Sequence, residues 1–171
     1  MRVTVIAGNP KPRSRTYHAA HLVAERLTGQ PPGLSIDVTD LGAALLDWSD
    51  PAVTDLVAAA VASDLVVVAS PTYKASYTGL LKLFLDRFSG GSLAGVTAVP
   101  VMLGGHWQHS LAADVLLKPV LVEIGATCPT AGLYLLESEW DTGPALDAWL
   151  ERARPQVRGT LRATAAGPDQ E

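Results

Sequence analysis

The chain has a single cysteine, Cys128, among its 171 residues. One thiol cannot close an intrachain disulfide, and no CxxC or Cys/His spacing surrounds it. Neither a disulfide framework nor a metal site is expected, and Cys128 is read as a core thiol. Positive charge is also short, with 13 Lys and Arg against 17 Asp and Glu and a net charge of −4. Nucleic-acid binding draws on counterion release by a basic field, so no nucleic-acid partner is expected. Apolar runs are brief, and none approaches the ~18 to 20 residues of a membrane span. Met1-Arg2 passes straight into Val3-Thr4-Val5-Ile6-Ala7 without a signal-peptide pattern. The expectation is a soluble, cytoplasmic protein with no membrane partner. Charged residues make up 18%, below the roughly 25% of an average soluble domain, which suggests surface buried between subunits.

The length suits one domain with a full core. Segments 3–7, 65–69, 97–103 and 133–136 are short and nearly unalternating in their apolar character, the first three are rich in β-branched residues, and each stops at a turn residue. Such runs suit strands buried on both faces of a parallel sheet. A weaker, alternating strand at 34–38 is expected at an edge. Helical patterns at 15–27, 53–62, 79–88, 109–124 and 144–158 alternate with the strands, which predicts helices on both faces of the sheet. Right-handed crossovers with one reversal give an α/β, flavodoxin-like three-layer sandwich, a five-stranded parallel sheet of order 2-1-3-4-5. The domain is expected to span 1–163. The stretch 164–171 is small and polar, and is expected to be a disordered tail.

In this topology ligands bind beyond the carboxyl ends of the strands, over the loops that follow strands one, three and four. The first of these loops reads Gly8-Asn9-Pro10-Lys11-Pro12-Arg13-Ser14-Arg15-Thr16. Gly8 is expected to permit the turn. Ser14 and Thr16 place hydroxyls beside the unpaired N–H groups and positive dipole end of the next helix, a phosphate cradle. A plain strand-to-helix turn capped by Ser14 also fits. The loop is neither a Walker A nor a GxGxxG motif, which argues against nucleoside triphosphate and Rossmann dinucleotide sites. The second loop, Ser70-Pro71-Thr72-Tyr73-Lys74-Ala75-Ser76-Tyr77-Thr78-Gly79, offers hydroxyls, amides and two aromatics for a polyol chain and a planar ring. Tyr73 and Tyr77 could equally pack on their own helix. The third, Gly104-Gly105-His106-Trp107-Gln108-His109, opens on two glycines that let backbone N–H groups approach a ligand. His106 is a candidate ring contact, with an ordinary surface histidine as the alternative.

The run Pro71-Thr72-Tyr73-Lys74-Ala75-Ser76-Tyr77-Thr78-Gly79-Leu80-Leu81-Lys82, followed by Asp86, resembles the NAD(P)H-dependent FMN reductases. Among these it is most similar to the reductases that serve alkanesulfonate monooxygenases. The resemblance covers roughly residues 1–134. It implies that Ser14, Arg15 and Thr16, with Asn9 beside them, hold the FMN phosphate. Pro71, Thr72, Tyr73, Lys74, Ala75 and Ser76 then line the ribityl chain and ring, and Gly104, Gly105 and His106 touch the isoalloxazine. Asp86-Arg87 resembles a pair that reaches toward the neighbouring subunit's site, an exposed helix-end ion pair being the alternative.

The implied cofactors are FMN and NADPH or NADH, in a homodimer or homotetramer with a flavin-dependent monooxygenase as a possible partner. No catalytic acid or base is expected, because hydride transfer is the flavin's own chemistry. Apolar residues on segments 79–88 and 111–124 exceed the ~100° stripe that one sheet can bury, which independently points to association. The resemblance departs at Val115, where flavin-releasing relatives carry an aromatic residue associated with a π-bulge. That departure keeps open a reductase of quinones, azo dyes or chromate with FMN permanently bound, and a flavodoxin-type electron carrier is the remaining alternative. Lys11 and Arg13 could meet an NADPH 2′-phosphate or simply be solvated loop charges. Trp48, Trp140 and Trp149 are read as packing residues.

Overall fold

The computed structural model describes residues 1–166. Five parallel strands, β1 (Val3–Ala7), β2 (Leu34–Asp37), β3 (Leu65–Pro71), β4 (Thr97–Gly104) and β5 (Leu133–Leu136), form one sheet in the order β2-β1-β3-β4-β5. This is the expected flavodoxin-like order, with the weak strand β2 at an edge. Side chains alternate across the sheet, as a period of two requires. Val66, Val68, Ala98 and Met102 enter one core. Leu65, Val67, Ala69, Val99 and Val101 enter the other.

Helices α1 (Arg15–Thr28) and α5 (Pro144–Ala166) cover the second of these faces through Ala19, Val23, Leu27, Trp149 and Leu150. Helices α2 (Pro51–Val61), α3 (Gly79–Leu85) and α4 (Lys118–Glu123) cover the first through Val53, Leu81, Phe84 and Leu121. Helix α5 runs past the expected end at 158 as far as Ala166. Of the tail expected at 164–171, residues 167–171 lie outside the described residues.

The single helix expected at 109–124 is instead three pieces. A short 3-10 turn, Trp107–His109, precedes a π-helical turn at Ala113–Leu117, and α4 follows. In the wide turn the Lys118 N–H donates to the Ala113 carbonyl, five residues back. Pro119 supplies a physical reason. In a continuous α-helix its ring would press on the carbonyl four residues earlier and leave it without a donor. Widening the turn puts Pro119 in the first turn of α4, where a missing N–H costs nothing. Gly132 makes room, since a Cβ there would lie 2.7 Å from the Ala113 Cβ, and its N–H donates to Asp114 Oδ1 at 2.8 Å. The π-turn thus exists with Val115 in place of an aromatic, and Val115 is exposed.

Two further expectations need correction. Trp48 is not a packing residue; it is 69% exposed and lies beside the Arg87 guanidinium, 5.2 Å from its ring centroid. Gly8 is required by close approach, not by a turn. It is absent from the positive-φ glycines, and a Cβ there would fall 2.3 Å from the Leu81 Cβ. Gly79, by contrast, has nothing within 4 Å of a built Cβ. Gly8→Ala should therefore destabilise the protein by about 1–3 kcal/mol, as overpacking does, while Gly79→Ala stays near neutral. Urea denaturation midpoints of the two variants check this, and equal midpoints would contradict it.

Candidate functional site

The ladder of the sheet carries on into the loops at its carboxyl edge. The Gly8 N–H donates to Ala69 O at 2.9 Å, Thr72 N–H to Leu103 O at 2.6 Å, and Glu137 N–H to Gly104 O at 3.0 Å. Thr78, the N-cap of α3, accepts from Leu81 N–H and donates its hydroxyl to Gly8 O at 2.5 Å. The first two loops are thereby fastened to each other, the second to the end of β4, and the start of the third to the segment after β5.

In the first loop Asn9 acts as a brace. Its Nδ2 donates to Thr16 Oγ1 at 3.0 Å and its Oδ1 accepts the Lys11 N–H at 2.9 Å. Ser14 caps α1 by accepting from Tyr17 N–H at 3.3 Å. Asn9, Ser14 and Thr16 are all buried. Both hydroxyl oxygens are already acceptors, so their own protons remain available to an anion. The N–H groups of Arg15 and Thr16 sit in the first turn, where a helix offers them no acceptor.

The cationic side chains of this loop are committed elsewhere. Arg13, at φ 49°, bonds Asp37 Oδ2 at 2.9 Å and Asp40 Oδ2 at 2.7 Å, and lies 5.0 Å from the Tyr17 ring centroid. The Asp40 and Asp37 carboxylates raise its pKa further. Arg15 reaches the Glu137 backbone carbonyl and carboxylate, each at 3.0 Å. Arg15 therefore brings a backbone N–H to the cradle, and its guanidinium ties α1 to the segment after β5. Lys11 is exposed.

The second loop closes as a tight hairpin, in which Tyr73 N–H donates to Ser76 O at 2.8 Å and Ser76 N–H to Tyr73 O at 3.1 Å. Lys74 and Ala75 between them both have positive φ, 51° and 67°. This is the geometry of a turn that favours Asn-Gly, occupied here by residues that pay for it in strain. The turn holds the Tyr73 ring half out in solvent, whereas Tyr77 packs against the core. Pro71 is buried at the end of β3, and Thr72 Oγ1 is buried without a hydrogen-bond partner.

Gly104 is buried at the foot of the third loop, and Gly105 and His106 are exposed at its lip. Asp86 is not with these residues. It follows the carboxyl end of α3, paired with Lys82 at 2.5 Å, while the cradle lies at that helix's amino end. Arg87 does not pair with it, donating instead to the Asp47 and Trp48 carbonyls. Burial pushes the Cys128 thiol up to about 11, which leaves it unreactive near neutral pH. Among the described residues no His/Cys/Asp/Glu group could hold a metal.

The family model for NADPH-dependent FMN reductases matches residues 1–141. The chain belongs to that family. Among curated FMN reductases, it is 33% identical over 149 residues to the FMN reductase (NADPH) of Escherichia coli K12, covering 81% of this chain and 75% of that one. It is also 33% identical to the NADH-dependent FMN reductase SfnF of Pseudomonas putida, covering 82% and 80%. Among solved structures, the apo NADH:FMN oxidoreductase EMOB superposes with a TM-score of 0.76 at 30% identity, over 99% of this chain and 91% of that one. An oxidoreductase of Corynebacterium diphtheriae gives 0.80 at 25% identity over 99% of each chain.

Three residues that hold the loops of the candidate site were not singled out from the sequence. Asp37, which bonds Arg13, and Glu137, which bonds Arg15, each stand at the carboxyl end of a strand, a position that could have marked them. Tyr134 carried no such signal; its hydroxyl donates to the His106 carbonyl at 2.9 Å, and it would lie 1.9 Å from a Cβ at Gly104. The strained hairpin yields a test within the fold. Ala75→Gly should stabilise the protein by about 0.5–1 kcal/mol, since relief of a left-handed alanine outweighs the added freedom of the unfolded chain. A shift of the urea midpoint to lower concentration would contradict the strain.

Proposed function

We propose that the chain is an NAD(P)H-dependent FMN reductase that takes a hydride from NADPH or NADH and supplies reduced flavin to a flavin-dependent monooxygenase in the cytoplasm. The observation that carries this reading is the Thr72 hydroxyl. It is buried without a hydrogen-bond partner beside Gly104 at the foot of the third loop, a kind of group that an ordered water or a ligand can complete. The rest of the cradle fits FMN as well. Ser14 and Thr16 offer hydroxyl protons, and Arg15 and Thr16 offer first-turn amides, to a phosphate. The Tyr73 hairpin supports one edge of a ring, and Gly105, with nothing within 4 Å of a built Cβ, leaves space at the other.

Bound FMN supplies the hydride-accepting centre, and no protein acid or base is needed for that transfer. The residues of the chain bind and orient: Asn9 braces the cradle, Arg13 and Arg15 hold its two flanks, and Thr72 fixes the ligand between loops. The commitment of Arg13 to two carboxylates leaves Lys11 as the loop cation suited to a 2′-phosphate. The π-turn at Ala113–Leu117 is compatible with the flavin-supplying reading, since the feature associated with release is present without its aromatic.

Association into a homodimer or homotetramer belongs to the same reading. Leu83, Leu111, Val115, Leu116 and Val122 are exposed on the α3 and α4 face. A groove of about 430 Å³ lined by Lys82, Asp86, Pro119 and Glu123 runs beside them. Asp86, remote from its own cradle, is then placed to serve a neighbour's. Sedimentation as a monomer at micromolar concentration would remove this part.

Purified protein with added FMN should oxidise NADPH or NADH, and inactivity with both sinks the proposal. Thr72→Val should weaken FMN binding about tenfold, the loss of one good buried hydrogen bond, as read by quenching of flavin fluorescence.

A further inference from the structure

We propose that Asp37 is a positioning residue for the phosphate cradle, through which the site favours FMN over riboflavin, the unphosphorylated flavin; the inference rests on the FMN reading above. Asp37 ends the edge strand β2, with its side chain fully enclosed. Its Oδ2 accepts twice from one residue, from the Arg13 backbone N–H at 2.8 Å and from the Arg13 guanidinium at 2.9 Å. Thr39, two residues on, donates its hydroxyl to the Pro10 carbonyl at 3.1 Å. The end of β2 and the segment after it thus grip the first loop at Pro10 and Arg13, just before the chain enters α1.

Asp37 is a poor choice for stability alone. Its other oxygen, Oδ1, is buried without a hydrogen-bond partner, and an apolar side chain would avoid that cost. What the carboxylate achieves is a backbone shape. Arg13 stands at φ 49°, a left-handed conformation that a non-glycine residue leaves unless something holds it. It directly precedes Ser14, the N-cap of α1. Its conformation therefore sets how the Ser14 hydroxyl and the amides of Arg15 and Thr16 are presented together. Without the Oδ2 acceptor Arg13 relaxes, and only the fraction of molecules with the loop in its native shape is ready for a phosphate. The ring of the flavin, assigned to the other two loops, is indifferent to this change. Charge alone acts in the opposite direction. Asp37 is an anion close to the place proposed for another, so neutralising it would by itself tighten FMN binding.

Wild type, Asp37→Ala and Asp37→Asn, each checked by circular dichroism and thermal melting, are titrated with FMN and with riboflavin by quenching of flavin fluorescence. Asp37→Ala should lose FMN affinity about five- to tenfold, the scale of one left-handed non-glycine residue, with riboflavin affinity little changed. Asp37→Leu fills the space without an acceptor and serves if the alanine variant does not fold. Asp37→Asn removes the same charge but keeps an oxygen acceptor, and should retain most of the preference. In an Arg13→Gly background, where glycine takes the left-handed conformation unaided, Asp37→Ala should weaken FMN binding little further. Equal losses for FMN and riboflavin, tighter FMN binding, an asparagine variant as weak as the alanine one, or the same FMN loss in both backgrounds would overturn the role of Asp37 and leave the FMN reading standing. Wild-type protein that binds FMN no better than riboflavin overturns the phosphate cradle and this inference with it, and protein that binds neither overturns the FMN reading as well.

Discussion

The seating of α3 against the first loop is the contact on which the site depends. Leu81 packs where a side chain on Gly8 would be, and one turn earlier the Thr78 hydroxyl both caps the helix and bonds the Gly8 carbonyl. A van der Waals contact without slack and a buried hydrogen bond thus fix the distance between the end of β1 and the start of α3. The loop proposed as a phosphate cradle hangs from one side of that joint and the strained hairpin from the other. Interiors pack at crystal-like density, so neither can shift without moving the other.

Around this joint the chain spends stability to hold unusual backbone. Arg13, Lys74 and Ala75 all adopt left-handed conformations without being glycine. Each is over-determined by its surroundings, Arg13 by two carboxylates and the other two by the paired hydrogen bonds of Tyr73 and Ser76. In the ligand-facing role proposed for these loops, strain kept in place is a mark of preorganisation, in which the cost of shaping the loop is met on folding and not on binding.

Much of this was legible in the sequence. The short, unalternating apolar runs marked strands β1, β3, β4 and β5, because a strand buried on both faces has few other compositions, and the handedness of the crossovers supplied their order. The loops were legible because Gly, Pro, Ser and Thr cluster where those strands end. Pro119 marks a break in the helix before Ile124 by removing one backbone hydrogen bond, but local periodicity does not say that the chain meets it with a wide turn at Ala113–Leu117. Gly8 and Gly104 were visible as glycines while their reasons were not: each is required by a side chain far along the chain, Leu81 in one case and Tyr134 in the other. Trp48 was misread because composition cannot distinguish a core indole from one stacked on an arginine.

The clasping of Arg13 and Arg15 by Asp37, Asp40 and Glu137 bears on how the cradle meets its solvent. A phosphate in the proposed cradle would meet neutral hydroxyls and amides, with the nearby guanidiniums already balanced by carboxylates, and would be held by short-range contacts with little gain from a long-range field. Such contacts are screened far less than exposed charge pairs. In that role the grip on a phosphorylated ligand would be set by fit and directionality, and would vary little between dilute buffer and the crowded ionic milieu of a cell. An enzyme built this way gives up some electrostatic capture of its ligand and in exchange keeps its affinity steady when salt does not.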